Sequence, residues 1–418
     1  MADTIAHMRS PLPVRWVAIT VFVFSAVLNY LDRQVLATMV TVWRAKPEFP
    51  FSLEDFGTLL AVFSLAYAIS APFMGFFLDR VGLNRGIAIS VSIWALASIG
   101  TGMVHGFIPL LICRSVLGIA EASGVSAVGK AVGLYLLPPE RAVGTAMGQL
   151  GLSLGAGLAP KFAIYFAENY SWRYAFYAAG VMSMMWIPVW LATARAIPPI
   201  ADPNEEQHKA SFALVRDPRI WAMVFANFTA MTLYSLWTNW SPTYLVKVHH
   251  LTPAEASHYS WVVPICGYLG ALLGGSLSWR FIRAGATPLE SRKKVCSICA
   301  LVLVGTVVIP WLPTPLLATV GMSLSYFWIG AWSTNMYTMP VDLYGAQRAA
   351  FGVSALVFAY GMMQAIFSKP IGYVIEQHGF IPICATFAFL PLLAQVALNM
   401  YVKMPAARQN ELVPAAVR

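Results

Sequence analysis

Residues Gly106 to Pro138 read GFIPLLICRSVLGIAEASGVSAVGKAVGLYLLP, an almost unbroken apolar run with Arg114 and Glu121 inside it. The run is long enough to cross a bilayer, which takes about 20 apolar residues as a helix. A charge at that depth costs from about 2.5 to more than 10 kcal/mol, so an ionisable residue there is a functional candidate. Arg114 and Glu121 are seven residues apart, nearly two helical turns. Both side chains therefore leave one face, about 10 Å apart along the axis. That face is expected to look into the protein and away from lipid.

The rest of the chain is of the same kind. Of 418 residues, 58% are hydrophobic and 11% charged, against roughly 25% charged in soluble domains. The mean hydropathy is +0.66, and a polytopic membrane protein is the expectation. Hydropathy marks twelve spans, near 14–40, 55–78, 85–104, 107–137, 142–166, 172–195, 218–246, 256–281, 293–313, 315–340, 348–375 and 380–402. All are expected to be helices, because lipid cannot satisfy open backbone groups. Residues 1–13 carry no signal-peptide pattern: the first apolar stretch is too long and no small-residue cleavage site follows it.

Lysine and arginine placement sets the orientation. With the N-terminus inside, eighteen cations fall on the cytoplasmic side, among them Arg15, Arg80, Arg85, Arg195, Arg219, Arg280, Arg283 and Arg292 to Lys294. Four fall outside: Arg44, Lys46, Arg173 and Lys247. Both termini are thus expected in the cytoplasm, and the net charge of +9 is a topology signal, with no nucleic-acid partner implied. Five cations remain within spans, Arg33, Arg114, Lys130, Lys161 and Lys369, against two acids, Asp32 and Glu121.

The longest polar interval, around IPPIADPNEEQHKAS, divides the spans six and six. About twenty polar residues bury no core, so it reads as a linker. The expected organisation is a six-helix half at 1–195, a linker at 196–217 and a second half with a short tail at 218–418. Two such halves point to a transporter with its site between them near the midplane.

Between spans 2 and 3 stand Gly75, Asp79, Arg80, Gly82, Arg85 and Gly86. This segment resembles the loop signature of the major facilitator superfamily. Gly75 is expected to permit close helix approach, with Asp79, Arg80 and Arg85 pairing or capping at the loop. A wider resemblance rests on Asn29-Tyr30-Leu31-Asp32-Arg33, on Arg114 through Glu121-Ala122 to Lys130, and on Leu137-Pro138-Pro139-Glu140-Arg141-Ala142. It continues through Asp217-Pro218-Arg219 and Trp221 to Trp240, Pro242, Tyr244 and Leu245. These residues look like the anion:cation symporter family, and most like its bacterial hexuronate and sugar-acid transporters. The resemblance implies proton-driven uptake of an organic anion. Lys130 is retained from it as a structural or gating lysine. The chain departs from the family at Leu134 to Pro138, where an aromatic, acid-bearing sequence is usual, and at Gln364 and Lys369 in span 11.

A transported acid needs a cation, and arginine offers a fork that matches a carboxylate. At 1.5 Å per residue, Asp32, Arg33 and Arg114 share a level in the outer half, with Glu121 deeper. The expected arrangement makes Arg33 the carboxylate ligand and Arg114 the partner of Asp32. Glu121 has no cation in its own turn, so burial favours its neutral form. Asp32 and Glu121 are the proton-coupling candidates. Arg33, Arg114, Tyr30, Asn29, Tyr67, Gln149, Tyr234, Trp237, Asn239, Trp332, Asn335 and Gln364 are the substrate-binding candidates, the neutral ones for hydroxyl groups. Trp240, Trp261 and Trp311 lie near span ends and are expected to anchor at the interface.

The full expectation is an all-α membrane protein with the major facilitator fold, in a bacterial cytoplasmic (inner) membrane. It carries a hexuronate or related sugar acid by proton symport, as a monomer, with a small organic anion, protons and the bilayer as partners. The alternatives are an exchanger or a carrier of another carboxylate (aldonate, aromatic acid or dicarboxylate), and a non-transporting membrane sensor. No enzyme is expected, since no Ser/His/Asp set, metal cluster or phosphate loop lies in the spans. No cofactor is expected beyond the driving proton. No metal is expected either: adjacent His249 and His250 splay apart, and Cys296 and Cys299 have no second pair.

Overall fold

Backbone groups in lipid must pair within their own segment, and helices do this throughout the described spans. The computed structural model describes residues 12–45, 51–136, 140–199, 216–344 and 346–403. Most of the linker, both tails and residues 137–139 of the Leu137 to Ala142 motif lie outside the described residues, as do the side chains of Asp79, Arg141 and Arg348. Fourteen α-helices build twelve spans among the described residues. Spans 1 to 3 are α1 (Leu12–Arg44), α2 (Leu53–Val81) and α3 (Leu83–Met103). Span 4 is α4 (Phe107–Glu121) followed by α5 (Ser123–Tyr135). Spans 5 to 7 are α6 (Arg141–Asn169), α7 (Trp172–Ala196) and α8 (Pro218–His249). Span 8 is α9 (Pro253–Ser260) with α10 (Val262–Arg283), and span 9 is α11 (Pro288–Leu303) continued by a 3-10 turn, Val304–Trp311. Spans 10 to 12 are α12 (Pro315–Tyr344), α13 (Ala346–His378) and α14 (Ile381–Tyr401).

Eleven of the spans are both long and apolar enough to cross a membrane. The twelfth, α12, is 30 residues long. Its polar and aromatic side chains, including Thr319, Ser323, Ser325 and Asn335, are buried and lower its hydropathy. Starts are written locally. Ser52 with Asp55, Thr252 with Glu255 and Thr287 with Glu290 form reciprocal capping boxes at α2, α9 and α11, satisfying first-turn N–H groups that would otherwise be unpaired. Gly82, at φ 88°, turns α2 into α3, a backbone region that glycine enters without steric cost.

Span 4 runs as one membrane-crossing stretch from Phe107 to Tyr135, as expected, with Ala122 in helical backbone (φ −59°, ψ −18°) between α4 and α5 and the Ser123 hydroxyl donating back to the Ala120 carbonyl. Gly75 corrects an expectation: a Cβ there would meet only Ser126 Oγ, at 3.8 Å, so close approach in this conformation does not depend on it. Trp240 is a second correction, being fully buried against the Phe56 ring, 4.8 Å away, while Trp261 and Trp311 are exposed.

The small-residue face of span 5 does hold spans together. A Cβ at Gly155 would run into the Val27 carbonyl of span 1, and one at Gly151 would lie 3.1 Å from the Val23 carbonyl. Gly155→Leu is expected to lower stability by about 1–3 kcal/mol through overpacking, read as an earlier melting transition in detergent. An unchanged transition would mean that span 1 moves freely aside.

Asp217 anchors the start of α8. Its Oδ1 accepts the Arg219 N–H at 2.9 Å, its Oδ2 accepts Arg219 Nη2–H at 2.6 Å, and the Tyr344 hydroxyl donates to Oδ2 at 3.1 Å. Burial pushes this carboxyl up, but the Arg219 side chain and backbone and the Tyr344 hydroxyl outweigh it, leaving it below the ordinary value of 3.8. A lowered folded value stabilises the fold above the unfolded value and loses that contribution as pH falls through the folded one. Asp217→Ala is expected to cost about 1 kcal/mol near neutral pH and nothing once the wild-type carboxyl is protonated. Melting curves across that pH range check it.

Candidate functional site

Arg33 lies on span 1 and reaches Glu121 on span 4. Its Nε and Nη2 both donate to Glu121 Oε2, at 3.1 and 2.8 Å. The Glu121 side chain is fully buried and that of Arg33 is 15% exposed. Three rings surround the guanidinium: Tyr30, Phe63 and Tyr67, with centroids 4.8, 4.7 and 4.9 Å from Cζ. Such rings attract a cation electrostatically and keep water from it. Glu121 is thus partnered from another helix, not left alone as its own turn implied. Glu121 Oε1 has no hydrogen-bond partner.

Asp32, one residue earlier, turns about 100° away on the helix and enters different surroundings. Ser98 Oγ on span 3 donates to its Oδ1 at 2.7 Å, and the residue is fully buried. The expected Asp32–Arg114 partnership is not present. Among the described residues Arg114 makes no ion pair within 4.0 Å; its guanidinium lies 5.3 Å from the Phe176 ring centroid. Its Nε and Nη2 lack hydrogen-bond partners. Matching depths brought Arg114 and Asp32 to one level, but the azimuth about each helix axis decides contact.

A small polar cleft lies beside Arg33, about 20 Å³, which in this conformation is room for about one water. Spans 1, 2, 7 and 11 line it, two from each set of six. Of the expected substrate-binding residues, Tyr30, Arg33, Asn239 and Gln364 line it. Tyr67 stands against Arg33, and Tyr234 packs on Tyr360, a lining residue, at 5.8 Å. The others lie outside the lining. Asn29 faces Gly124 of span 4. Gln149 is exposed. Trp237 is fully buried, donating to Ser325 Oγ at 2.9 Å, and Trp332 and Asn335 are fully buried in span 10.

Sequence reasoning missed Gln34, Ser64, Thr238 and Tyr360, all of which line the cavity. Gln34 carried a signal, an amide in an apolar span next to Arg33. Serine, threonine and tyrosine occur in spans for many reasons, and nothing local separates these three.

One end of the bundle carries Arg15, Arg80, Arg85, Arg219 and Arg292 to Lys294. At this basic end Lys130 Nζ donates to the Leu78 carbonyl at 3.0 Å, a cation at the C-terminal turn of α2, while Arg80 and Arg85 are exposed. The opposite end is shut between the two sets of six. Arg44 donates through Nη1 and Nη2 to Glu376 Oε2 and Oε1 at 2.8 and 2.9 Å. The Leu53 N–H, at the start of α2, donates to Glu376 Oε2 at 2.8 Å. Lys369 also pairs across with Glu54 at 3.4 Å, while within the last six spans Lys247 Nζ donates to the Ile375 and Glu376 carbonyls. Beneath this clasp, a Cβ at Gly57 or Gly372 would run into the backbone of the facing span, so spans 2 and 11 touch main chain to main chain. The chain is therefore held closed at the end away from its basic surface.

Twelve helical spans, a polar cavity between the first six and the last six, and an arginine in its wall paired with a buried glutamate define a polytopic α-helical membrane protein of transporter type. Comparison with known proteins agrees. The chain belongs to the Major Facilitator Superfamily, whose family model matches residues 22–398. It is similar to the hexuronate transporter of Escherichia coli (strain K12), 25% identical over 410 residues covering 94% of each chain. It is also similar to the galacturonate transporter of Dickeya chrysanthemi, 26% identical over 324 residues, 73% of this chain and 93% of that one. In fold it matches the crystal structure of a bacterial homolog of the human lysosomal transporter Spinster, inward-facing and unoccupied. That match has a TM-score of 0.71 at 19% identity and covers 94% of this chain and 96% of the other.

Proposed function

We propose that this protein is a proton-coupled symporter that takes up a hexuronate or a related sugar acid across a bacterial inner membrane. The observation that carries the reading is that Arg33, which lines the cavity, is held from behind by the buried Glu121. Arginine is the group suited to a carboxylate, and here a second carboxylate, Glu121, already holds its fork. Protonation of Glu121 removes that competitor and frees Arg33 for the substrate anion. Deprotonation restores the pair and displaces the anion. Proton and acid are thereby bound and released together, which is symport. Asp32 and Arg114 form a second buried acid and base, and Asp32 acts through the charge that it places near Arg114.

The halves 1–195 and 218–418, joined by 196–217, rock about the cavity, with the basic end and both termini in the cytoplasm. The conformation with the clasp closed is then the one that opens inward. The relatives' names favour sugar acids, and the neutral cavity groups Tyr30, Asn239 and Gln364 suit hydroxyls.

Uptake of a panel of sugar acids, aldonates and dicarboxylates into proteoliposomes, with and without an inward proton gradient, tests this. Accumulation of a sugar acid only with the gradient is the expected result. Counterflow under every condition would replace symport by exchange, and no flux of any anion would point to a sensor.

A further inference from the structure

We infer that Gln364 is the residue by which the cavity tells a polyhydroxy acid from a bare carboxylate, and that Ser64 and Ser235 are positioning residues for its amide. The inference rests on the transport reading above and adds to it the origin of selectivity. Gln364 lies on span 11, lines the cavity and is 9% exposed. Its Oε1 accepts the Ser64 hydroxyl from span 2 at 3.0 Å, and its Nε2 donates to Ser235 Oγ on span 7, also at 3.0 Å. The two serines thus hold the amide at both ends, and one of those bonds crosses from the last six spans to the first six.

A primary amide has two N–H donors and an oxygen with two lone pairs. One donor and one lone pair of Gln364 are committed to the serines. One donor and one lone pair remain uncommitted on this cavity-lining residue. That is the complement of a carbon bearing a hydroxyl, or of two neighbouring hydroxyls, each of which gives one hydrogen and receives one. What sets Gln364 apart from the other lining amides, Gln34 and Asn239, is that it is held at both ends. Thr238 Oγ1 is shared between the Tyr234 carbonyl and the Tyr326 hydroxyl, both at 2.7 Å. Asn239 Nδ2 turns back on the Ser235 carbonyl at 3.1 Å.

Arg33 supplies charge recognition to any carboxylate alike, so it cannot rank acids by their hydroxyls. Gln364 can, because an acid without hydroxyls leaves its remaining donor and acceptor unpaired in a buried site. Sites built to bond a substrate hydroxyl reject analogues lacking it far more strongly than apolar pockets reject a missing methylene. The serines matter because they hold the amide plane in place, so that its remaining groups are not lost to free rotation.

The test uses the full-length protein in proteoliposomes and two acids of equal chain length, D-glucuronate and hexanoate, each as competitor of the other's binding and uptake. The wild-type protein is expected to favour glucuronate by at least about 100-fold. Gln364→Met, which keeps the volume, is expected to reduce that ratio to below about 10-fold by weakening glucuronate alone. Ser64→Ala and Ser235→Ala are expected to reduce it about 3- to 10-fold each, with hexanoate affinity unchanged. A ratio that stays at the wild-type value in Gln364→Met overturns the assignment while leaving the transport reading intact. Equal weakening of both acids overturns it too, since that is the mark of a structural role. A wild-type protein that binds neither acid overturns the transport reading and the assignment together.

Discussion

Glu121→Gln is expected to abolish proton-driven accumulation while leaving exchange of the anion across the membrane. Glutamine has the shape of the protonated acid and cannot return to the charged form, so Arg33 would stay free and the step that expels the anion inward would lose its competitor. The loss should be at least about 100-fold in gradient-driven uptake, on the scale of a buried charge pair broken at 3–5 kcal/mol. Counterflow of labelled against unlabelled acid should persist within a few-fold. Arg33→Lys should behave differently and fail in both assays. It keeps the charge but loses the fork that engages Glu121 through Nε and Nη2, and lysine does not replace a bidentate arginine. Asp32→Asn separates the two acids, because Asp32 bonds to Ser98 whereas Glu121 holds Arg33, the charged residue of the cavity wall. If Glu121→Gln still accumulated substrate against its gradient, coupling would have to pass through Asp32.

Neutralising the clasp should have the next largest effect. Glu376 accepts two bonds from Arg44 and one from the Leu53 N–H, so a single carboxylate ties span 1 and the start of span 2 to span 11. Charge-assisted bonds of this kind contribute about 1.5–3 kcal/mol when water is limited, and the pair is about 30% exposed, which places it at the lower end. Glu376→Gln is expected to shift the balance away from the closed clasp by roughly 2 kcal/mol, or about 30-fold in the ratio of states. Cysteines placed at Gly57 or Thr58 and labelled by an impermeant reagent would report it as faster modification. Arg44→Gln should do the same, and the double variant little more than either, since both remove one interaction. Full additivity would show that each residue acts on its own and that no clasp exists.

Much of the fold was legible because lipid leaves few choices. Any apolar run of about 20 residues becomes a helix there, so the spans could be read one at a time. Hydropathy placed several starts a few residues late, because it does not read the capping residues of the S-L-E-D, T-P-A-E and T-P-L-E stretches at residues 52, 252 and 287. Among site residues, Arg33 and Glu121 stood out by their burial cost alone. Gln364 stood out as an amide among apolar neighbours, and so did Gln34, which was passed over beside Arg33. Trp237 and Trp332 were drawn in by aromatic chemistry but spend it on the interior of the last six spans.

Sequence alone determined the helical class, the number of crossings and which side chains had to avoid lipid, since those depend on transfer energies that each segment carries by itself. Only the tertiary structure decided partners: that Arg33 meets Glu121 and not Asp32, that Arg114 rests on Phe176, and that Arg44 finds Glu376 from 332 residues away. Those choices depend on the rotation of each helix about its axis and on which spans lie side by side. Neither is encoded in any one segment, because both emerge when twelve helices settle their packing together.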